Sequence, residues 1–376
     1  MPAQLGSIID QLYREKQSGL ISKRKIVFLV GSGIRHICNI LNDDQIKKEI
    51  TKRPYINKDP KSQSFQEFRW RLFEYARYYT ANALPTFAHA CIFQMIKDGL
   101  CRDLITTNYD LFFDAIWEKY PELGVKQNPV CNQGDYHWDG YYSYKKHPRG
   151  KPRYWKIHGS LSHIVFQGRN PSVKPQIHRL PRFACSTNQP DLAKYYGDKC
   201  LAPFMGFETS QYRLTKFTHP YLLQSQFEPF IDWTFGNKRS LFDCETRSAS
   251  RILKDEKNVA AIVIIGFRGY YNDADIIDPW NEELVPVLTK VLDAGKIEVF
   301  IALHKYQYQR SNEPTSGFAR RLIKDSRCFV YDDVSKFIQA LLNPPNCHLF
   351  PFETVKNEFD IWRNYWFINM KEQLHG

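Results

Sequence analysis

Ile26-Val27-Phe28-Leu29-Val30-Gly31-Ser32-Gly33 is the stretch that decides the fold class. Five continuous aliphatic, β-branched and aromatic residues are what a strand buried on both faces requires. Gly31-Ser32-Gly33 breaks the run, and apolar residues resume at helical spacing from Ile34 to Leu41. Strand, glycine turn and helix in that order make a phosphate cradle, because a helix N-terminus offers unpaired N–H groups and a partial positive charge. A tight turn without any ligand would account for Gly31 and Gly33 taken alone. The loop is not a standard fingerprint. A dinucleotide motif has a third glycine where His36 stands, and the Gly-Lys-Ser/Thr of a P-loop is missing.

Two more apolar runs end in polar residues. Arg102–Thr107 leads into Asn108-Tyr109-Asp110, and Tyr154–Ile157 leads into His158-Gly159-Ser160. In an open α/β sheet the residues just past the strand ends gather at one edge, where nucleotide ligands bind. The three segments are therefore expected to bring a backbone loop, an amide and an imidazole to one crevice. Each also has a plainer reading. Asn108 can be a turn residue, His158 a satisfied structural histidine, and Asp110 the cap of a helix beginning at Leu111.

The rest of the chain fits a layered α/β architecture. An aromatic helical pattern over Phe65–Ala83 reads as a helix packed on the core, and Pro85 opens a second helix that carries His89, Ile92 and Phe93 and closes near Gly99. Residues 121–153 read as loops and hairpins. Beyond His158 the pattern is irregular to about residue 219, followed by helical stretches near Tyr221–Phe235 and Leu241–Leu253. Val259–Ile265, Ile297–Leu303 and Arg327–Val330 read as strands, and Val334–Leu342 as a helix. Alternating strands and helices predict an α/β, Rossmann-like fold: a mainly parallel sheet with helices on both faces. The expected division is one domain over residues 1–345, with an irregular or helical insert at about 166–257, and a helical appendix over 346–376.

Composition narrows the class. Of 376 residues, 43% are hydrophobic and 24% charged, ordinary values for a soluble globular chain. The longest apolar run, Val259–Phe267, is far short of the roughly 20 residues a membrane span needs. No signal-like apolar core opens the sequence, so the expected location is cytoplasmic, with no membrane role. Nine cysteines are scattered without a Cys-x-x-Cys pair, which fits reduced thiols and gives no ligand set for a structural zinc. A net charge of +12 suits nucleic acid, a polyphosphate ligand or simple solubility. The run Lys145-Lys146-His147-Pro148-Arg149-Gly150-Lys151-Pro152-Arg153-Tyr154 is basic and aromatic-flanked, so it is either a solvated loop or a nucleic-acid contact.

Five segments, in order along the chain, resemble the sirtuin-like superfamily in its divergent bacterial defence branch. They are Gly31-Ser32-Gly33, Pro85 with His89, Thr106-Thr107-Asn108-Tyr109-Asp110, His158-Gly159-Ser160, and Gly266-Phe267 leading to Asp273-Ala274-Asp275. The resemblance spans residues 26–276, and the last strand–helix pair carries it to about 342. It implies a domain that takes NAD as substrate, without metal, and breaks the nicotinamide–ribose bond. Asn108 and His158 become the catalytic pair. Gly31, Ser32, Gly33, Arg35, Thr107, Asp110, Gly266, Phe267 and Arg268 become the NAD-binding set. The chemistry is consistent: an imidazole with an unperturbed pKa near ~6.5 can take a proton from a ribose hydroxyl or water at neutral pH.

The chain also departs from the family's deacetylases. It lacks their paired-cysteine zinc module and their Gly-x-Pro-Asp-Phe-Arg-like stretch. Thr107 replaces a common glutamine, and Arg268 a usual serine. Loss of the protein-substrate module with the NAD segments retained favours an NAD hydrolase that depletes NAD in antiphage defence. The resemblance to standalone relatives implies a homo-oligomer and a HerA-type hexameric ATPase partner. The alternatives are an NAD-dependent protein deacylase, or a nucleic-acid-binding or nuclease component.

Overall fold

The computed structural model describes residues 2–20, 23–31, 34, 85–108, 110, 112–113, 152–157, 159–166, 176–179, 227–231, 249–266, 284–305, 321–322, 327–343 and 346–361. The strands, in chain order, are β1 (Lys25–Val30), β2 (Cys101–Thr106), β3 (Arg153–Lys156), β4 (Gly159–Phe166), β5 (Gln176–Arg179), β6 (Phe227–Ile231), β7 (Val259–Ile265), β8 (Glu298–His304) and β9 (Cys328–Tyr331). The helices are α1 (Pro2–Gln17), α2 (Phe87–Lys97), α3 (Val285–Ala294), α4 (Val334–Leu342) and α5 (352–361).

Six strands form one sheet in the order β3-β2-β1-β7-β8-β9, and every pairing in it is parallel. Ranked by their order along the chain, these strands run third, second, first, fourth, fifth, sixth across the sheet. That is the doubly wound order, and its direction reverses between β1 and β7. The Rossmann-like, mainly parallel sheet expected from the sequence is therefore present.

Strand alternation divides the apolar side chains between two cores. Ile26, Phe28 and Val30 of β1 join Val263, Ile265 and Phe300 on the face covered by α1, α2, α4 and α5. Val27 and Leu29 join Ile262, Ile264 and Ile301 on the face covered by α3 and the helical residues 249–253. Burial on both faces is why β1 and β7 read as unbroken apolar runs.

The segment after β3 differs from its sequence reading. Within Tyr221–Phe235, expected to be helical, Phe227–Ile231 is a strand. It joins β4 and β5 in an antiparallel sheet of order β5-β4-β6. Two phenylalanines, an isoleucine and Pro229 suit an extended strand better than a helix interior, where proline removes a hydrogen bond. Gln176–Arg179, within the stretch read as irregular, is also a strand. The helical reading holds at residues 249–253.

Residues 346–361 pack into the α1–α2 core through Cys347, Phe350, Val355 and Phe359. Asp10 of α1 accepts hydrogen bonds from the N–H groups of His348 (2.9 Å) and Leu349 (2.9 Å) and from the Cys347 thiol (3.1 Å). Burial alone would raise the Asp10 carboxyl. These donors outweigh it and hold the group below the usual carboxylate range. Among the described residues no helix is long and apolar enough to cross a membrane.

Candidate functional site

The parallel register builds the site. Val30 of β1 faces Thr106 of β2 on one side and Ile265 of β7 on the other, while Thr106 faces Lys156 of β3. These four residues form one row across the carboxyl edge. Gly31, Thr107 with Asn108, Ile157 and Gly266 follow immediately beyond it. Gly266 has φ +74°, a left-handed conformation that glycine adopts without the steric cost of a side chain.

Hydrogen bonds lock the edge at the point where strand order reverses. Gly31 N–H donates to Ile265 O at 2.8 Å, joining the ends of β1 and β7. Thr107 N–H donates to Val30 O at 3.1 Å, and the Thr106 hydroxyl donates to the same carbonyl at 2.9 Å. Thr106 Oγ1 in turn accepts from Asn108 N–H at 2.9 Å. Thr106 opens one of the five quoted segments but has no site role in the sequence reading, where it is one of two adjacent threonines ending a strand. Its hydroxyl nevertheless sets where Asn108 begins.

Asn108 is 3% exposed, and its Nδ2 donates to Gly31 O at 3.1 Å. That bond fixes the amide orientation, because the opposite flip would put two oxygens together. Oδ1 is then the free end. It is buried and has no hydrogen-bond partner among the described residues. A buried acceptor left in this state is costly to the fold and marks a place where a donor belongs.

Asp110 takes the cap role that its position allowed: Oδ1 accepts from Phe112 N–H at 3.1 Å. Its main-chain carbonyl accepts from Lys156 Nζ, and Lys156 is fully buried. Lys156 escaped the sequence reading too. A charged residue inside Tyr154-Trp155-Lys156-Ile157 was the available signal, since buried lysines are rare unless bonded. His89 is fully buried as well; its Nδ1 accepts from Thr86 N–H at 3.1 Å, and its ring packs on Phe112 and Phe113. Those contacts tie α2 to the two residues that follow shortly after Asp110.

Of the sequence-selected residues, Gly31, Thr107, Asn108, Asp110 and Gly266 thus share one edge. Ser32, Gly33, Arg35, His158, Phe267 and Arg268 lie outside the described residues. One expectation changes. The Gly31 N–H belongs to Ile265 O, so within the described part of the cradle Gly31 acts as a structural hub and not as an anion donor.

The end of the basic run also changes meaning. Arg153 and Tyr154 are 6% and 3% exposed. Arg153 grips Asp103 through two bonds, at 2.5 and 2.7 Å, and Trp155 Nε1 adds a third to the same carboxylate at 2.9 Å. Those two residues belong to the interior and not to a nucleic-acid surface. Residues 145–151 lie outside the described part.

Thiol chemistry is disfavoured among the described cysteines. Burial pushes Cys91 well above its ordinary value and Cys328 and Cys347 up to about 12. Burial and the Asp103 charge raise Cys101. Thiolates at such values are scarce at neutral pH. No group of three or more His, Cys, Asp or Glu side chains among the described residues is arranged to hold a metal ion.

Sheet order and edge geometry define the class: a doubly wound α/β protein with a polar site at its switch point. No protein-family model matches the chain, and no curated protein matches it. Solved structures overlap it weakly. A Sir2 homologue in complex with NAD aligns at a TM-score of 0.43 and 13% identity, covering 89% of this chain and 90% of that one. A Sir2 homologue variant in complex with ADP-ribose aligns at 0.44 and 12%, covering 90% and 94%. A Sir2 protein bound to a propionylated peptide aligns at 0.44 and 14%, covering 85% and 92%. The assignment of fold class rests on this chain's own strand order and register.

Proposed function

We propose that this protein is an NAD glycohydrolase: it binds NAD at the β1/β7 switch point and hydrolyses the nicotinamide–ribose bond. The observation that carries the reading is Asn108, a buried amide pinned through Nδ2 with Oδ1 left to accept. A ribose hydroxyl or an attacking water is a donor of the right kind. The five-segment sequence resemblance supports the same ligand, and the doubly wound order supports its location.

The bond breaks through an oxocarbenium-like state, and nicotinamide is already a good leaving group. The protein therefore has to orient the ribose and manage one water. Asn108 Oδ1 holds a ribose hydroxyl or the water in line. His158 serves as the base that takes the proton as the new C–O bond forms. Ser32 and Gly33 supply N–H groups for the pyrophosphate, since the Gly31 N–H is committed elsewhere. Arg35, Thr107, Asp110, Gly266, Phe267 and Arg268 complete the NAD-binding set.

Unrestrained NAD hydrolysis is lethal to a cell. The activity fits an antiphage effector that depletes NAD in the cytoplasm and is held in check by homo-oligomerisation or a HerA-type hexameric ATPase. The test is chromatography of NAD after incubation with the purified protein, alone and with such a partner. Nicotinamide and ADP-ribose in equal amounts support the proposal. Acetylated ADP-ribose appearing only with an acetyl-lysine peptide would establish the deacylase alternative instead. Intact NAD under all conditions, or unchanged turnover in both Asn108→Ala and His158→Ala, refutes the assignment.

A further inference from the structure

Lys156 is a fully buried cation that the proposed chemistry does not use. Its backbone sits opposite Thr106 in the β2–β3 ladder, and its Nζ bonds to the carbonyl of Asp110, four residues further along. Tyr154, two residues earlier on the same side of β3, lies with its ring 5.9 Å from the ammonium. The flanking residues Tyr154, Trp155 and Ile157 are buried and join the two cores. For packing alone, an apolar side chain of similar volume would serve as well or better, because a buried ammonium carries a large desolvation cost.

We infer that Lys156 is the positioning residue of the site: its ammonium straps the end of the Asn108–Asp110 segment to β3 and so fixes where Asn108 Oδ1 points. Two bonds among the described residues bracket the segment. Thr106 Oγ1 anchors its start through Asn108 N–H, and Lys156 anchors its end through Asp110 O. Asn108 is tied in addition from Nδ2 to Gly31 O. If the strap is released, the capping carboxylate and the amide can drift together without disturbing the parallel ladder below. Lys156 is fully buried and bonded to main chain, so it acts through Asn108 and does not itself touch substrate.

The inference rests on the proposed function for its catalytic consequence, but its geometry can be tested without activity. Lys156→Met keeps length and volume while removing charge and donor. The full-length variant is expected to show at least tenfold faster amide hydrogen exchange at Thr107 and Asn108, with Val263 in β7 and Phe337 in α4 unchanged. In NAD turnover, kcat is expected to fall at least tenfold while KM stays within about threefold. Unchanged exchange at 107 and 108 overturns the inference. So does acceleration across the whole sheet, or a variant that fails to fold, since Lys156 would then serve the fold and not the segment. If the parent protein leaves NAD intact, the proposed function fails and the exchange pattern alone decides the role of Lys156.

Discussion

Replacing Asn108 with alanine separates the cost of this side chain to the fold from its value to the reaction. The substitution removes the Nδ2 bond to Gly31 O, a net loss of about 0.5–1.5 kcal/mol. Gly31 O is not orphaned, because Ile34 N–H still reaches it at 3.3 Å. The same substitution deletes Oδ1, a buried acceptor without a partner among the described residues, whose burial costs about 1–3 kcal/mol. The two effects nearly cancel. Unfolding free energy should stay within about 1 kcal/mol of the parent, a melting shift of at most ~4 °C. Catalysis should suffer far more: losing about 3 kcal/mol from a buried hydrogen bond to reacting groups corresponds to roughly 100-fold in kcat/KM. Calorimetric melting paired with NAD turnover reads both quantities. A variant destabilised by more than about 3 kcal/mol that keeps its turnover would refute the reasoning, since Asn108 would then be a structural residue.

Three further predictions concern the fold. Gly6→Ala places a Cβ 1.9 Å from the main-chain oxygen of Asn346, so α1 and the 346–350 segment must separate; overpacking of this kind costs about 1–3 kcal/mol, readable by urea denaturation. Asp10→Asn should flatten the acid limb of stability. The folded carboxyl is held below its unfolded value, so its contribution is complete above about pH 4 and is lost as pH falls through the lower, folded value. Denaturant midpoints between pH 5 and 2 should therefore slope less in the variant, and an unchanged slope would exclude the Asp10–His348 and Asp10–Leu349 bonds as the cause. Arg153→Met removes two bonds to the fully buried Asp103 and leaves it Trp155 Nε1 at 2.9 Å and Arg102 Nε at 3.3 Å, so it should cost at most about 3–5 kcal/mol, whereas the double variant Asp103→Leu with Arg153→Met should recover most of it. Additive losses in that cycle would show that the pair is not coupled.

How far the sequence could be read depended on the range of the interactions. β1, β7 and α4 were legible because each is a short segment whose own periodicity states its environment, and α4 matches its expected Val334–Leu342 bounds. Phe227–Ile231 was misread as helix because a single short strand has too few residues to show its period. Its identity comes from pairing with β4, more than 60 residues earlier in the chain. Within the site, Asn108 and Gly31 stood out by residue type at the ends of apolar runs. Thr106 and Lys156 did not, since their roles lie in hydrogen bonds to residues far away in the chain.

The sequence by itself determined that buried strands end in glycine, amide and imidazole residues, because hydrophobic runs and turn formers act locally. Only the tertiary structure decided which strands are neighbours, that the order reverses between β1 and β7, and that Gly31 spends its N–H on Ile265. The same holds for the Asn108 acceptor that has no partner among the described residues and for the buried lysine bonded to the Asp110 carbonyl. Those facts depend on register across strands about 50 to 235 residues apart, and register is fixed by the packing of the whole sheet and not by any segment of it.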